Sequence, residues 1–177
     1  MALIIPRGRF WFHAYNADGT LAWREMFSNG MTTAGVNSLL DVYFRNQSQI
    51  ATWYAGLIDN ADFTAVAITD TATKITTATP TSSTNSWRES TAYDEAVRQT
   101  WTPGAASGGS IINGAKPTFT ISTNNTRIKG AFLVSSNTKG GTAGTMWATG
   151  ILATARTLND NQILTVDYET EMVGGST

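Results

Sequence analysis

The sequence predicts a mainly β protein: an antiparallel β-sandwich, jelly-roll-like, with one short α-helix and an N-terminal β-hairpin arm. Short runs rich in Val, Ile, Thr, Tyr, Phe and Trp recur along the chain, separated by Gly, Pro, Asn and Asp turn signals. Only the stretch near 33–45 spaces its apolar residues as a helix does. That helix stands before most of the strands, so no strand–helix–strand alternation points to a parallel sheet.

Taken in order, residues 9–15 are aromatic and strand-like, Asn16-Ala17-Asp18-Gly19 is a turn, and residues 20–27 return as a second strand. Leu21, Trp23, Glu25 and Phe27 lie on one side of that strand, and Ala22, Arg24 and Met26 on the other. Both faces carry large apolar groups, and a two-stranded ribbon is not stable alone in water. The expectation is therefore an arm over residues 1–30 docked on another subunit or on a larger shell, and a domain over 31–177. Phe10, Trp11, Phe12 and Trp23 are its expected contact residues, because large aromatics dominate interface energetics.

Ser28-Asn29-Gly30 breaks the strand, and Thr32 or Thr33 then caps a helix. Val36, Leu39, Leu40, Tyr43 and Phe44 form one apolar stripe, expected to face the sandwich core, and Asn46-Gln47-Ser48 ends it. Residues 50–58, 63–69, 87–93, 97–102, 111–112, 118–122, 127–135, 145–155 and 162–169 read as strands. Residues 70–86, rich in Thr, Ser and Ala around Pro80, read as a long exposed loop. Residues 103–109 and 137–144 read as turns, and 174–177 as a frayed tail.

Charged residues are only 14% of the 177, and the net charge is −1. That balance argues against electrostatically driven binding to nucleic acid or a membrane. So sparsely charged a surface offers little repulsion to association, and a homo-oligomer, dimer or trimer, is expected. With no Cys there is no disulfide framework, zinc–thiolate site or thiol nucleophile. The apolar run before Arg7 is too short for a signal-peptide core or a membrane span, so synthesis in the cytoplasm without membrane crossing is expected.

His13 is the only histidine, and a Ser-His-Asp triad would need a carboxylate to orient it. It sits between aromatics and reads as a strand residue. No nucleophile-elbow or phosphate-loop motif occurs. Lys139-Gly140-Gly141-Thr142-Ala143-Gly144-Thr145 lacks the order of such a loop and reads as a hairpin turn. Glycosidase chemistry needs two facing carboxylates, and the candidates are Glu89, Asp94, Glu95, Asp59 and Asp62. Asp94 and Glu95, being adjacent, would point to opposite faces of a strand. Asp59-Asn60-Ala61-Asp62 offers oxygen ligands for calcium but reads as an Asx-type turn. Trp11, Trp23, Trp53, Trp87, Trp101 and Trp147 are spread over most segments and read mainly as core; an exposed cluster would mark an interface. No catalytic constellation, metal site or cofactor site is expected.

Thr32-Thr33-Ala34-Gly35-Val36-Asn37-Ser38-Leu39-Leu40-Asp41, followed by Ile50-Ala51-Thr52-Trp53-Tyr54-Ala55-Gly56-Leu57-Ile58, resembles structural proteins of tailed bacteriophages. So do Ser90-Thr91-Ala92-Tyr93-Asp94-Glu95, Trp101-Thr102-Pro103-Gly104-Ala105 and Lys139 to Ala148. The likeness covers residues 32–170, and within that group a capsid decoration (cement) protein fits best. The resemblance implies a β-rich fold, a place on the outer shell of the virion, the major capsid protein as partner, and no enzymatic activity. Low charge suits a part whose hold comes from many weak, linked contacts. The alternative is a tail or head-fibre module, or a receptor-binding β-sandwich for host surface glycans. A third, enzymatic alternative, a small depolymerase or lysin domain, lacks an acid–base pair.

Overall fold

The computed structural model describes residues 3–75 and 86–175. In chain order its elements are β1 (Leu3–Tyr15), β2 (Leu21–Met31), α1 (Thr33–Arg45), β3 (Trp53–Asp59), a 3-10 turn (Ala72–Lys74), β4 (Glu89–Ser90), β5 (Gln99–Pro103), β6 (Ser110–Ala115), β7 (Thr118–Thr120), β8 (Thr126–Val134), β9 (Met146–Leu158) and β10 (Ile163–Gly175). The protein is mainly β, its named strands pair antiparallel, and the described residues include one α-helix, as the sequence predicts.

The strands close on themselves, where a sandwich of jelly-roll type was expected. Neighbours run β1-β2-β9-β8-β3-β5-β6-β10, and β10 pairs back onto β1 to complete an eight-stranded barrel. The closing seam is a ladder from Leu3↔Gly175 to Tyr15↔Ile163, joining opposite ends of the chain. Closure leaves no long open edge, which is how such barrels avoid edge-to-edge association. The gap between β3 and β10 is filled twice. Near the α1 end β5 and β6 fill it, pairing with residues 53–55 and 169–171. Toward the other end β4 and β7 do so, pairing with residues 57–58 and 163–165 and meeting nearby through the Tyr93↔Ile121 bridge.

This topology overturns the expected arm. β1 is hydrogen-bonded to β2 on one side and to β10 on the other, so the hairpin is barrel wall. Its period of two places Phe10, Phe12 and Ala14 on one face, and all three are fully buried. Phe10 stacks on Phe27 with ring centroids 5.5 Å apart and touches the Tyr168 ring at 4.5 Å. The edge of β1 is taken by a strand from the far end of the sequence, while the hairpin's second face, with Trp11 and the exposed Met26, stays on the outside of the barrel.

β8 is buried on both faces. Ile128, Ala131 and Leu133 belong to the barrel core, while Phe132 and Val134 lie in a second cluster with Ile58, Ala72, Ile75, Trp87 and Met146. Gly56 makes room for the Phe132 ring, since a Cβ there would fall 2.2 Å from it. Residues 63–69, expected as a strand, form turns over this cluster, with Phe63 and Val66 packed against it. The Asp70 carboxylate accepts hydrogen bonds from the Trp87 indole N–H and the Ala67 amide, both at 2.9 Å. The flanks of the predicted 70–86 loop are thus packed; its residues 76–85 lie outside the described residues. Gly174 and Gly175, expected in a frayed tail, end β10, and residues 176–177 lie outside the described residues.

Candidate functional site at the barrel mouth

Of the four predicted contact residues, Phe10 and Phe12 are unavailable to any partner because the barrel turns their face inward. Trp23 packs on Phe12 and lies under the Arg156 guanidinium at 5.5 Å, which is itself paired with Glu25 at 2.6 Å. Trp11, on the opposite face of β1, is half-buried beneath Arg9 at 5.8 Å. The four are not brought together as one exposed surface.

The helix also departs from expectation, in the opposite sense. Thr32 is its cap: its hydroxyl accepts from the Gly35 amide at 3.0 Å and donates to the Met146 carbonyl. The Thr32 amide donates to the Trp147 carbonyl at 2.9 Å, so the first turn is sewn to β9. Gly35 then packs against Trp147 so closely that a Cβ would lie 2.7 Å from its carbonyl oxygen. That approach selects the Gly35 face of α1 for docking and turns the apolar stripe outward. Leu40 is 46%, Tyr43 79% and Phe44 75% exposed, so these residues do not face the core. The Tyr43 and Phe44 rings meet edge-to-face at 4.9 Å, and Arg45 pairs with Asp41 one turn back at 3.0 Å. Asn46 ends the helix in the left-handed region, with φ 54°.

Beside the buried face of α1 the barrel opens into a cleft of about 660 Å³. Ser38, Leu39 and Val42 line one wall, and residues 49–53, the β5–β6 hairpin, Leu133, Trp147, Thr170 and Met172 complete it. Among the described residues no charged side chain lines it. Trp53 and Trp147 lie 5.7 Å apart at 56°. Tyr168 fixes two of the three indoles: the Trp147 N–H donates to its hydroxyl at 2.9 Å, and the Trp101 N–H to its carbonyl at 3.2 Å. Burial pushes the Tyr168 phenol up to about 12, so the hydroxyl stays neutral and able to hold that bond. The sequence alone supplied the tryptophans but not their convergence, which depends on strands far apart in the chain.

The remaining candidates are occupied structurally. The Asp167 carboxylate comes within 3.6 Å of His13 Nδ1, but it also binds the Lys116 ammonium and the Asn113 amide. Burial and then Lys116 hold the imidazole below its ordinary value, outweighing Asp167. Among the described residues no hydroxyl hydrogen-bonds the His13 ring, so no triad is assembled. Glu89 and Arg98 form a buried ion pair under the 137–144 turn. Glu95 accepts from the Thr120 amide, and Asp59 from the Ala61 amide and Arg88. Asp59-Asn60-Ala61-Asp62 is the turn expected, with Asp62 at φ 55°. Among the described residues no three His, Cys, Asp or Glu side chains are grouped to hold a metal, and no helix is long and apolar enough to cross a membrane.

No protein-family model matches this chain, and no curated protein does.

Proposed function

We propose that this chain is a non-enzymatic virion structural protein that decorates and stabilises a bacteriophage capsid by binding major capsid protein subunits on the outer shell. The observation that carries the reading is the unpartnered stripe of Leu40, Tyr43 and Phe44 on a helix pinned to a closed barrel. Two neighbouring aromatics left in water by their own fold mark an interaction surface. The segments that resemble phage structural proteins support it as well. Residues 32–41 supply the cap and the first part of α1, residues 50–53 and 101–103 wall the cleft, and residues 139–148 run through the turn to Trp147 against Gly35. Much of the resemblance therefore converges on one end of the barrel.

Contact through this stripe is apolar, so it should resist salt, which screens ion pairs but does not weaken apolar burial. The test is co-sedimentation with shells of the major capsid protein. Wild type should pellet equally from low to molar salt. The Tyr43→Ala, Phe44→Ala double variant, which removes exposed groups only, should fold normally yet bind at least ~30-fold more weakly, as loss of an interface hot spot implies. Release of the wild type by salt, or normal attachment of the double variant, would overturn the proposal. Self-association as a dimer or trimer belongs to the same reading and is measured by analytical ultracentrifugation.

A further inference from the structure

An eight-stranded barrel is just wide enough to be filled by its own side chains or to hold one small ligand. This barrel is filled over part of its length and open over the rest. Phe10, Phe12, Phe27 and Leu164 fill its middle and far end, and near α1 the interior opens as the 660 Å³ cleft. That volume falls within the range of about 300–1,000 Å³ that small-molecule sites occupy, and barrel mouths are a usual place for them.

The lining defines the ligand. Trp53, Trp147, Leu39, Ile111, Leu133 and Met172 present hydrocarbon and ring surfaces, and no lysine, arginine, aspartate or glutamate stands among the lining residues. A charged group brought here would lose its water and find no counter-ion. Ser38, Gln49, Thr52, Thr100 and Ser110 also line the cleft and offer neutral hydrogen-bonding groups at its wall. The walls are also held in place without a ligand, because Trp101 and Trp147 are both anchored on Tyr168. Rigid walls reduce the ordering cost of binding.

We propose that the barrel mouth is a binding site for one uncharged, mostly apolar small molecule, a ring or hydrocarbon body carrying few hydrogen-bonding groups. The site does not rest on the capsid reading: its walls are the inner face of α1 and the strand ends, while the proposed shell contact uses the outer face.

Two dyes that share an arylaminonaphthalene frame test it: neutral N-phenyl-1-naphthylamine and its sulfonated relative 8-anilinonaphthalene-1-sulfonate. Binding to the full-length protein is followed by energy transfer from tryptophan. The neutral dye should saturate at one per chain with a Kd on the order of micromolar, and the sulfonate should bind at least ~10-fold more weakly. Leu39→Lys, at a position 38% exposed, sets a charge in the wall and should weaken the neutral dye at least ~10-fold. Ala106→Trp should block the mouth from the exposed β5–β6 turn, giving a second variant should the first misfold. Tyr43→Lys, on the outer face of α1, should leave dye binding unchanged. The proposal is overturned by absence of saturable binding, by equal affinity for both dyes, or by equal loss in Tyr43→Lys. It is overturned too if Leu39→Lys abolishes shell attachment while no dye binds, since the cleft would then seat side chains of a protein partner.

Discussion

Removing either member of the Glu89–Arg98 pair should cost more stability than any exposed substitution, and removing both should cost far less than the sum. Neither side chain has any exposure. The guanidinium makes a two-pronged contact, Nε to Oε1 at 2.9 Å and Nη2 to Oε2 at 2.8 Å. It also donates to the Ser136 and Gly141 carbonyls at 2.9 and 2.7 Å, while Glu89 accepts from the Gly140 amide at 2.7 Å. Arg98→Met leaves a carboxylate in the interior with only backbone and phenol donors, and Glu89→Met leaves a guanidinium there without its counter-charge. Breaking a buried pair in this way costs about 3–5 kcal/mol, so independent effects would sum to about 6–10 kcal/mol. In the Glu89→Met, Arg98→Met double variant neither charge is stranded. What remains is the loss of partners for three backbone groups, about 1–3 kcal/mol each when left unsatisfied, less whatever water recovers. The double variant should therefore fall at least ~2 kcal/mol short of the summed single losses, a coupling within the range such cycles show. Urea denaturation followed by tryptophan fluorescence reads all four corners of the cycle. Single losses below about 1 kcal/mol, or an additive double variant, would show that water reaches the pair and refute the reasoning.

Three further outcomes are expected. Leu40→Ala should cost less than about 0.5 kcal/mol, as exposed substitutions do, while Leu133→Ala, buried in the barrel, should cost about 2–5 kcal/mol in the same urea assay. Deleting residues 1–28 removes β1 and most of β2, together with Phe10, Phe12 and Phe27 from the core, and should leave no cooperative unfolding transition in a thermal scan. Burial holds the His13 imidazole below its ordinary 6.5, so the unfolded chain takes up the proton first. The stability carried by neutral His13 is whole above pH 6.5 and is lost as pH falls through the lower folded value, and His13→Gln should flatten the urea midpoint across that window.

Local chemistry was legible in the sequence, and long-range pairing was not. The cap at Thr32, the helix end at Asn46, the turn at Asn16–Gly19 and the glycine-rich 137–144 turn follow from side-chain hydrogen bonding and backbone freedom within a few residues. The barrel does not, because its closing seam pairs Leu3 with Gly175 and no local pattern specifies that register. Apolar periodicity located an apolar face on the β1–β2 hairpin and on α1, and the face of α1 expected in the core is exposed. It could not say which face the fold would cover. For the hairpin, barrel closure through β10 turned the Phe10 and Phe12 face inward, so both became core. For the helix, the close contact of Gly35 with Trp147 sets which face docks.

The same contact explains why the exposed stripe is suited to recognition. α1 is tied down through its first turn, by Thr32 on β9 and Gly35 on Trp147, and its second and third turns rest along the cleft through Ser38 and Val42. Leu40, Tyr43 and Phe44 thus project from a helix whose orientation is already set, and the two rings brace each other. Tyr and Phe lose little rotamer freedom on contact compared with long charged side chains. A partner meeting this face would have little backbone to order, and the hydrophobic gain would not be spent on arranging the site. An apolar stripe on an arm that had to be ordered by its partner would carry that ordering cost at each docking event. Closing the barrel through β1 and β10 removes the arm, and pinning α1 at Gly35 supplies a preorganised surface in its place.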